Sequence, residues 1–135
     1  MKILQDIWIL TNSGIVVYSR VFHEKVNAQL FGALMTALNS FALELAKGGL
    51  SSFELSSMRF TLLKDEGFIF VANSSKKIKE KRVQEELKKI SQKFFEKYED
   101  ILPTWDNDVN VFSDFEVDIE DSLEETIKKF QKAFW

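Results

Sequence analysis

The chain has 135 residues, of which 45% are hydrophobic; it holds thirteen Phe, one Pro, five Gly and no Cys, and carries a net charge of −3. A length of this order supports one domain burying roughly 65–70% of its unfolded surface, so a single domain over residues 1–135 is expected. The composition excludes a disordered or linker-rich chain, and the lack of Cys excludes disulfides, a thiol nucleophile and thiolate metal sites, which fits a reducing, cytoplasmic setting.

No apolar run approaches the roughly 18 residues of a membrane span, and MKILQDIWIL, with Asp6 inside its apolar run and no small-residue cleavage site after it, reads as a strand and not a signal peptide. Ile3 to Leu10 and Ile15 to Phe22 are apolar and β-branched, and Thr11-Asn12-Ser13-Gly14 between them tolerates positive φ, so a β-hairpin is predicted. Ile7-Trp8-Ile9-Leu10 lacks polar alternation, which places the first strand centrally with cover on both faces; Val17, Ser19 and Arg20 make its partner more exposed.

The chain is organised around Asn27 to Lys47, NAQLFGALMTALNSFALELAK, which is helical in period and almost free of charge. Its strongest stripe, Phe31, Leu34, Met35, Leu38, Phe41, Ala42 and Leu45, is expected to lie on the sheet. The opposite face, Gln29, Gly32, Ala33, Thr36, Ser40, Leu43 and Lys47, is small and nearly neutral, and is expected to meet another backbone. Gly48-Gly49 is expected to supply the left-handed stop.

Ser51 to Leu63 predicts two strands or one bent strand, broken at Ser56-Ser57; Lys64-Asp65-Glu66-Gly67 is a turn, and Phe68 to Ala72 a short buried strand. Asn73-Ser74-Ser75 is expected to end the sheet and cap a helix over Lys76 to Leu102, whose narrow stripe is Val83, Leu87, Ile90, Phe94, Tyr98 and Ile101 and whose stop is Pro103. Trp105, Val109, Val111 and Phe112 pin the connector. A last helix is expected from Ser113, with a Ser113–Glu116 capping box, through Phe115, Ile119, Leu123, Ile127, Phe130 and Phe134, with acids opening it and Lys128, Lys129 and Lys132 closing it. The fold class is therefore α+β: a five-stranded antiparallel sheet in the order β-β-α-β-β-β-α-α, with the first helix on one face and the C-terminal helices on the other.

Charge is unevenly spread. Lys76 to Lys97 holds nine Lys/Arg against four Glu, and Tyr98 to Glu125 holds eleven Asp/Glu and no base. The plain reading is a solvated basic helix face with an intramolecular acidic complement; the sharper one is a basic patch, Lys76, Lys77, Lys79, Lys81 and Arg82, for an acidic partner or an anionic lipid surface. No aromatic platform accompanies the lysines, so nucleic acid is not expected.

The residues offer little chemistry. Asp106-x-Asp108-x-Asn110 opens like a calcium loop, but Val111 stands where its turn needs Gly and Val117 where a bidentate Glu belongs, so no metal site is expected. His23 is the only His and has no second ligand, and Asp65-Glu66 and Glu124-Glu125 lie on surfaces that would not raise a carboxyl pKa. Gly48-Gly49 follows a helix where a phosphate loop would precede one. No catalytic, cofactor or metal residues are expected, and the chain reads as a non-enzyme.

The hairpin IWILTNSGIVVYSRVF, the helix core LMTALNSFALEL, the meander SFELSSMRFTLLKDEGFIFVANSS and the amphipathic KKISQKFFEKYEDIL together resemble the longin domain, a profilin-like fold, with the meander similar to that of the small adaptor-complex subunits. The segment WDNDVNVF and the last helix resemble archaeal longin-like proteins, implying a prokaryotic origin. The related roadblock domain usually places a helix before its first strand. The resemblance implies non-catalytic protein–protein contact: with a small Ras-like GTPase, with longin or roadblock subunits of a trafficking-type complex, or with itself as a homodimer. No coiled-coil heptads follow, which argues against a SNARE. The expected contact face is Gln29, Gly32, Ala33, Thr36, Ser40 and Leu43, unless the chain's own Phe130, Phe134 and Trp135 cover it. Alternatives are a profilin-like small-molecule sensor with Tyr18 and Ser57 as its inward polar groups, and a peripheral membrane-binding module using the basic helix 76–97.

Overall fold

Strand β1 (Asp6–Thr11) points Ile7 and Ile9 to one side and Trp8 and Leu10 to the other, and all four are buried. A strand without a wet face must lie inside a sheet covered twice. The computed structural model, which describes residues 3–21, 27–55 and 57–120, has that arrangement. After β1 come β2 (Val16–Arg20), α1 (Ala28–Leu45), a meander of β3 (Ser52–Leu55), β4 (Met58–Asp65) and β5 (Phe68–Ser75), and α2 (Glu80–Lys97). Two 3-10 segments (Leu102–Thr104 and Val109–Phe115) lead into the short α3 (Glu116–Ile119). The strands form one antiparallel sheet, β2-β1-β5-β4-β3. The α+β class and the element order are those expected from the sequence.

The two faces carry separate cores. Ile7, Ile9, Phe68 and Phe70 meet α2 through Val83, Leu87, Ile90 and Phe94, and the 3-10 segment and α3 add Phe112, Phe115 and Ile119. Phe94 is the hub: its ring lies 5.7 Å from that of Phe70, 5.2 Å from Phe112 and 5.4 Å from Phe115. Such ring pairs add about 0.5–1.5 kcal/mol each beyond burial. This is what ties the C-terminal segment to the sheet. The other core is smaller, with Trp8, Leu10, Val16, Leu62, Ile69 and Val71 of the sheet against Phe31 and Met35 of α1.

Helix α1 is seated differently from the expectation. Phe31 stacks on Trp8 at 4.2 Å, and Gly32 nests against the β1–β2 turn, where a Cβ would collide with the Gly14 carbonyl oxygen and come within 2.9 Å of Val16 Cγ2. Gly14 itself has φ 96°, and a Cβ there would lie 2.7 Å from Thr36 Oγ1. Gln29 accepts a hydrogen bond from the Val16 N–H and donates one to the Val16 carbonyl, both at 3.1 Å. The face on the sheet is therefore Phe31, Gly32 and Met35 with Thr36 at its border. Of the stripe assigned to the sheet, Leu34, Leu38, Phe41 and Leu45 point to solvent instead. A helix with a single charge, Glu44, offers several apolar faces; close approach at Gly32 selects among them.

Local boundaries differ as well. Asn73-Ser74-Ser75 do not end the sheet but continue β5, where Asn73 Oδ1 accepts the Asp6 N–H at 2.8 Å and its amide donates to Asp6 Oδ2 at 2.9 Å. The cap of α2 is Lys79, which gives no side-chain hydrogen bond, and the helix ends at Lys97, so Pro103 falls inside a 3-10 segment, not at the helix end. α1 stops at an extended Ala46 (ψ 138°), and the left-handed residue is Gly49 (φ 70°), further on. Ser113 lies within the second 3-10 segment and forms no capping box; Asp108 caps that segment, accepting the Asn110 N–H at 3.0 Å. His23 and the expected helix beyond Glu120, with Leu123, Ile127, Phe130, Phe134, Trp135 and its closing lysines, lie outside the described residues.

The seat of α1 is testable. Gly32→Ala should lower the unfolding free energy in urea by about 1–3 kcal/mol through overpacking. Ala33→Arg, one residue on and exposed, should change it by less than about 0.5 kcal/mol.

Candidate interaction surfaces

Rotation of α1 leaves an apolar strip on the outside. Leu30 is 65% exposed, Leu34 53%, Phe41 66% and Leu45 74%, and Leu38 is exposed beside them. Leu30, Leu34, Leu38, Phe41 and Leu45 recur at helical spacing and so share one face. Patches beyond roughly a few hundred Å² are rare on monomers and mark contact sites. The face expected to make contact is divided: Gly32 is buried and Gln29 and Thr36 are committed to the β1–β2 region, whereas Ala33, Ser40 and Leu43 are exposed. Periodicity alone places Leu34, Leu38, Phe41 and Leu45 on the core face; the signal against it is the small residue at Gly32, the point on the helix where a backbone can come closest.

A second surface is the lysine-rich start of α2. Lys76 Nζ lies 3.1 Å from Glu54 Oε2 on β3, and this contact, ahead of the one with Arg59, holds the Glu54 carboxyl below its usual range. Arg59 Nη1 donates to the Ile78 carbonyl at 2.9 Å. Lys77, Lys79, Lys81 and Arg82 are exposed around the helix start.

The far end of α2 has its charges paired. Lys97 Nζ reaches Asp118 Oδ2 at 2.5 Å and Asp114 Oδ2 at 3.6 Å, and its own pKa is raised, chiefly by the bond to Asp118. Tyr98 donates its hydroxyl to Asp114 Oδ1 at 2.6 Å; that bond is the largest influence holding the Asp114 carboxyl below its usual value, and burial foremost pushes the Tyr98 hydroxyl far up. Lys93 donates to the Asp118 carbonyl at 3.1 Å, and Arg20 pairs with Glu116. The acidic segment is thus the intramolecular complement of the last two turns of α2.

Asp106 and Asp108 accept the main-chain N–H groups of Asp108 and Asn110, at 3.2 and 3.0 Å, as turn formers. Among the described residues no three of His, Cys, Asp and Glu group as metal ligands, and no helix is long and apolar enough to cross a membrane. Tyr18 is buried edge-on to Phe115 at 5.6 Å, where burial pushes its hydroxyl up to about 12, and Ser57 is exposed on the β3–β4 turn, so the two do not converge on a cavity. Two open depressions flank the β4–β5 turn, one lined by Gln92, Phe95 and Glu96 and the other by Asn39, Ser40 and Lys47, with Asp65 and Glu66 common to both.

A hairpin, a helix on one face, a three-stranded meander and a helix on the other face define a longin-like domain. Residues 5–95, more than half of the chain, match the family model described as the first longin domain of FUZ, MON1 and HPS1, and the chain belongs to that family. Among solved structures, Myxococcus xanthus MglB is 13% identical, with a TM-score of 0.61 over 73% of this chain and 85% of that one, a likeness of fold. MglB from Thermus thermophilus, described as a gliding protein, is 12% identical, with a TM-score of 0.49 over 60% and 67% of the two chains. A Roadblock/LC7 domain from Streptomyces avermitilis is 17% identical, with a TM-score of 0.45 over 56% and 68%. No curated protein matches.

The Tyr98–Asp114 bond gives a pH signature. Because the folded pKa of Asp114 is depressed, its contribution to stability is present above the unfolded value and lost as pH falls through the folded one. The stability gap between wild type and Tyr98→Phe, from urea unfolding at a series of pH values, should be full above about pH 4 and should close in more acid solution.

Proposed function

We propose that this longin-like domain is a non-catalytic interaction module of the cytoplasm that pairs through the outer strip of α1, with a second copy or a related longin or roadblock subunit. In that paired form it regulates or scaffolds a small Ras-like GTPase within a trafficking-type assembly. The observation that carries the reading is the strip itself: Leu30, Leu34, Leu38, Phe41 and Leu45 exposed on a helix with one charge. Burying one such side chain is worth roughly 1.5–3 kcal/mol, so a few of them supply micromolar pairing or better after the costs of association. Membership of a longin family supports protein contact as the domain's role, and small GTPases and related subunits are the partners that the longin resemblance implies. The exposed Ala33 lies beside the strip and belongs to the proposed contact; Leu43 is exposed on the opposite side of the helix, and Gly32, being buried, takes no part.

Light scattering over a dilution series is the first test. The wild type should be a dimer that Leu34→Asp/Phe41→Asp converts to a folded monomer, whose melting temperature no longer depends on concentration because those side chains lie outside both cores. Where the wild type is monomeric, pull-down with GTP-loaded small GTPases or longin partners should depend on the same two residues. Association that ignores both substitutions would overturn the assignment of this face.

A further inference from the structure

We propose that the lysine-rich corner at the start of α2 is a docking surface for an anionic lipid bilayer. The sequence Lys76-Lys77-Ile78-Lys79-Glu80-Lys81-Arg82 places five cations and one acid within seven residues. Lys76 shares the Glu54 carboxylate with Arg59. Among the described residues, no carboxylate pairs with Lys77, Lys79 or Lys81. These three stand at the end of the helix where the macrodipole is already positive, and Lys79 occupies the cap position without a side-chain hydrogen bond. The distribution raises the energy of the isolated domain, because cations belong at the other end of a helix, where Lys97 sits. Against a negative surface the same charges and the helix end act together.

The corner is also held in place. Arg59 fastens the Ile78 carbonyl, the Lys76 N–H donates to the Ser57 carbonyl at 3.2 Å, and the Lys77 N–H donates to Ser75 Oγ at 3.2 Å. Ile78 packs against the α2 core between the lysines, so they project from a fixed backbone and little order is lost when they bind. Lysine is a compact charge suited to a diffuse field, whereas paired recognition of a carboxylate or phosphate group favours arginine. Of the nearby arginines, Arg59 is committed to Glu54 and Ile78, and Arg82 is engaged as well. The corner lies on the α2 face of the sheet and the apolar strip on the α1 face, so docking here does not compete with pairing there, and the proposal stands whether or not α1 is occupied.

The test is flotation of the purified chain with vesicles of phosphatidylserine and phosphatidylcholine, or of phosphatidylcholine alone. Binding is expected to the anionic vesicles at about 0.05 M salt and to be lost at about 0.5 M. Lys77→Gln/Lys79→Gln/Lys81→Gln should weaken it roughly a hundredfold and Lys79→Gln alone about fivefold. Lys47→Gln, on another surface, should leave it unchanged, and circular dichroism melts should show all variants folded. No flotation at low salt, equal flotation with neutral vesicles, or binding that survives the triple substitution would each overturn the proposal. So would lysine-dependent binding of a poly-glutamate peptide without vesicle binding, which would assign the corner to an acidic protein segment.

Discussion

The contact on which the rest of the structure depends is the one between Gly14 and Gly32. Backbone meets backbone there without an intervening side chain, and that approach fixes how far α1 is rotated on the sheet. Given that rotation, Phe31 falls on Trp8, Gln29 reaches both main-chain groups of Val16, and the leucines four residues apart are left outside. A bulkier residue at either glycine would lift the helix or turn it, and a different face would then meet solvent. Fold and contact surface are in this sense one decision, taken at two residues.

The strands were legible because their signals are strong and local. Ile7-Trp8-Ile9-Leu10 could only be a doubly covered strand, and the turns at Gly14 and Gly67 have the positive φ that their residues suggested. The stripe of α2 was legible for the same reason, since its opposite face is charged and only one rotation buries Val83, Leu87, Ile90 and Phe94. Helix α1 was not. With apolar residues on nearly every side, its period identifies a helix but leaves the angle open, and a non-local contact sets the angle. Likewise Ser113–Glu116 fits a capping box in sequence, but the ring of Phe112 must reach Phe94 and Trp105, and the backbone takes a 3-10 path to place it. The candidate surfaces follow the same division: the basic patch could be read from composition, whereas the apolar strip needed the rotation of α1.

Electrostatics separate the two ends of α2. At its C-terminal end, Lys93 and Lys97 are matched to the acidic segment, with Tyr98 and Asp114 completing a cluster whose charges are paired at short distances. At its start, Glu54 engages only Lys76 and Arg59. One helix thus has a fastened end and a charged end. The charge asymmetry visible in the sequence is partly used up in holding the C-terminal segment in place, and at the start of α2 Lys77, Lys79 and Lys81 pair with no carboxylate among the described residues.

The bracing of β2 by Gln29 has a consequence for how copies of the domain could join. An antiparallel sheet can grow at either margin, and a domain open at both could add neighbours without limit, as fibres do. Here Gln29 occupies the main-chain groups of Val16 and the second 3-10 segment lies along β2, while β3 at the other margin is four residues long and bears the exposed Leu55. Strand addition is therefore obstructed at the start of β2, the margin where Gln29 already holds both groups of Val16. An occupied main chain at the start of β2 works against open-ended ribbons, which need both margins of every sheet free.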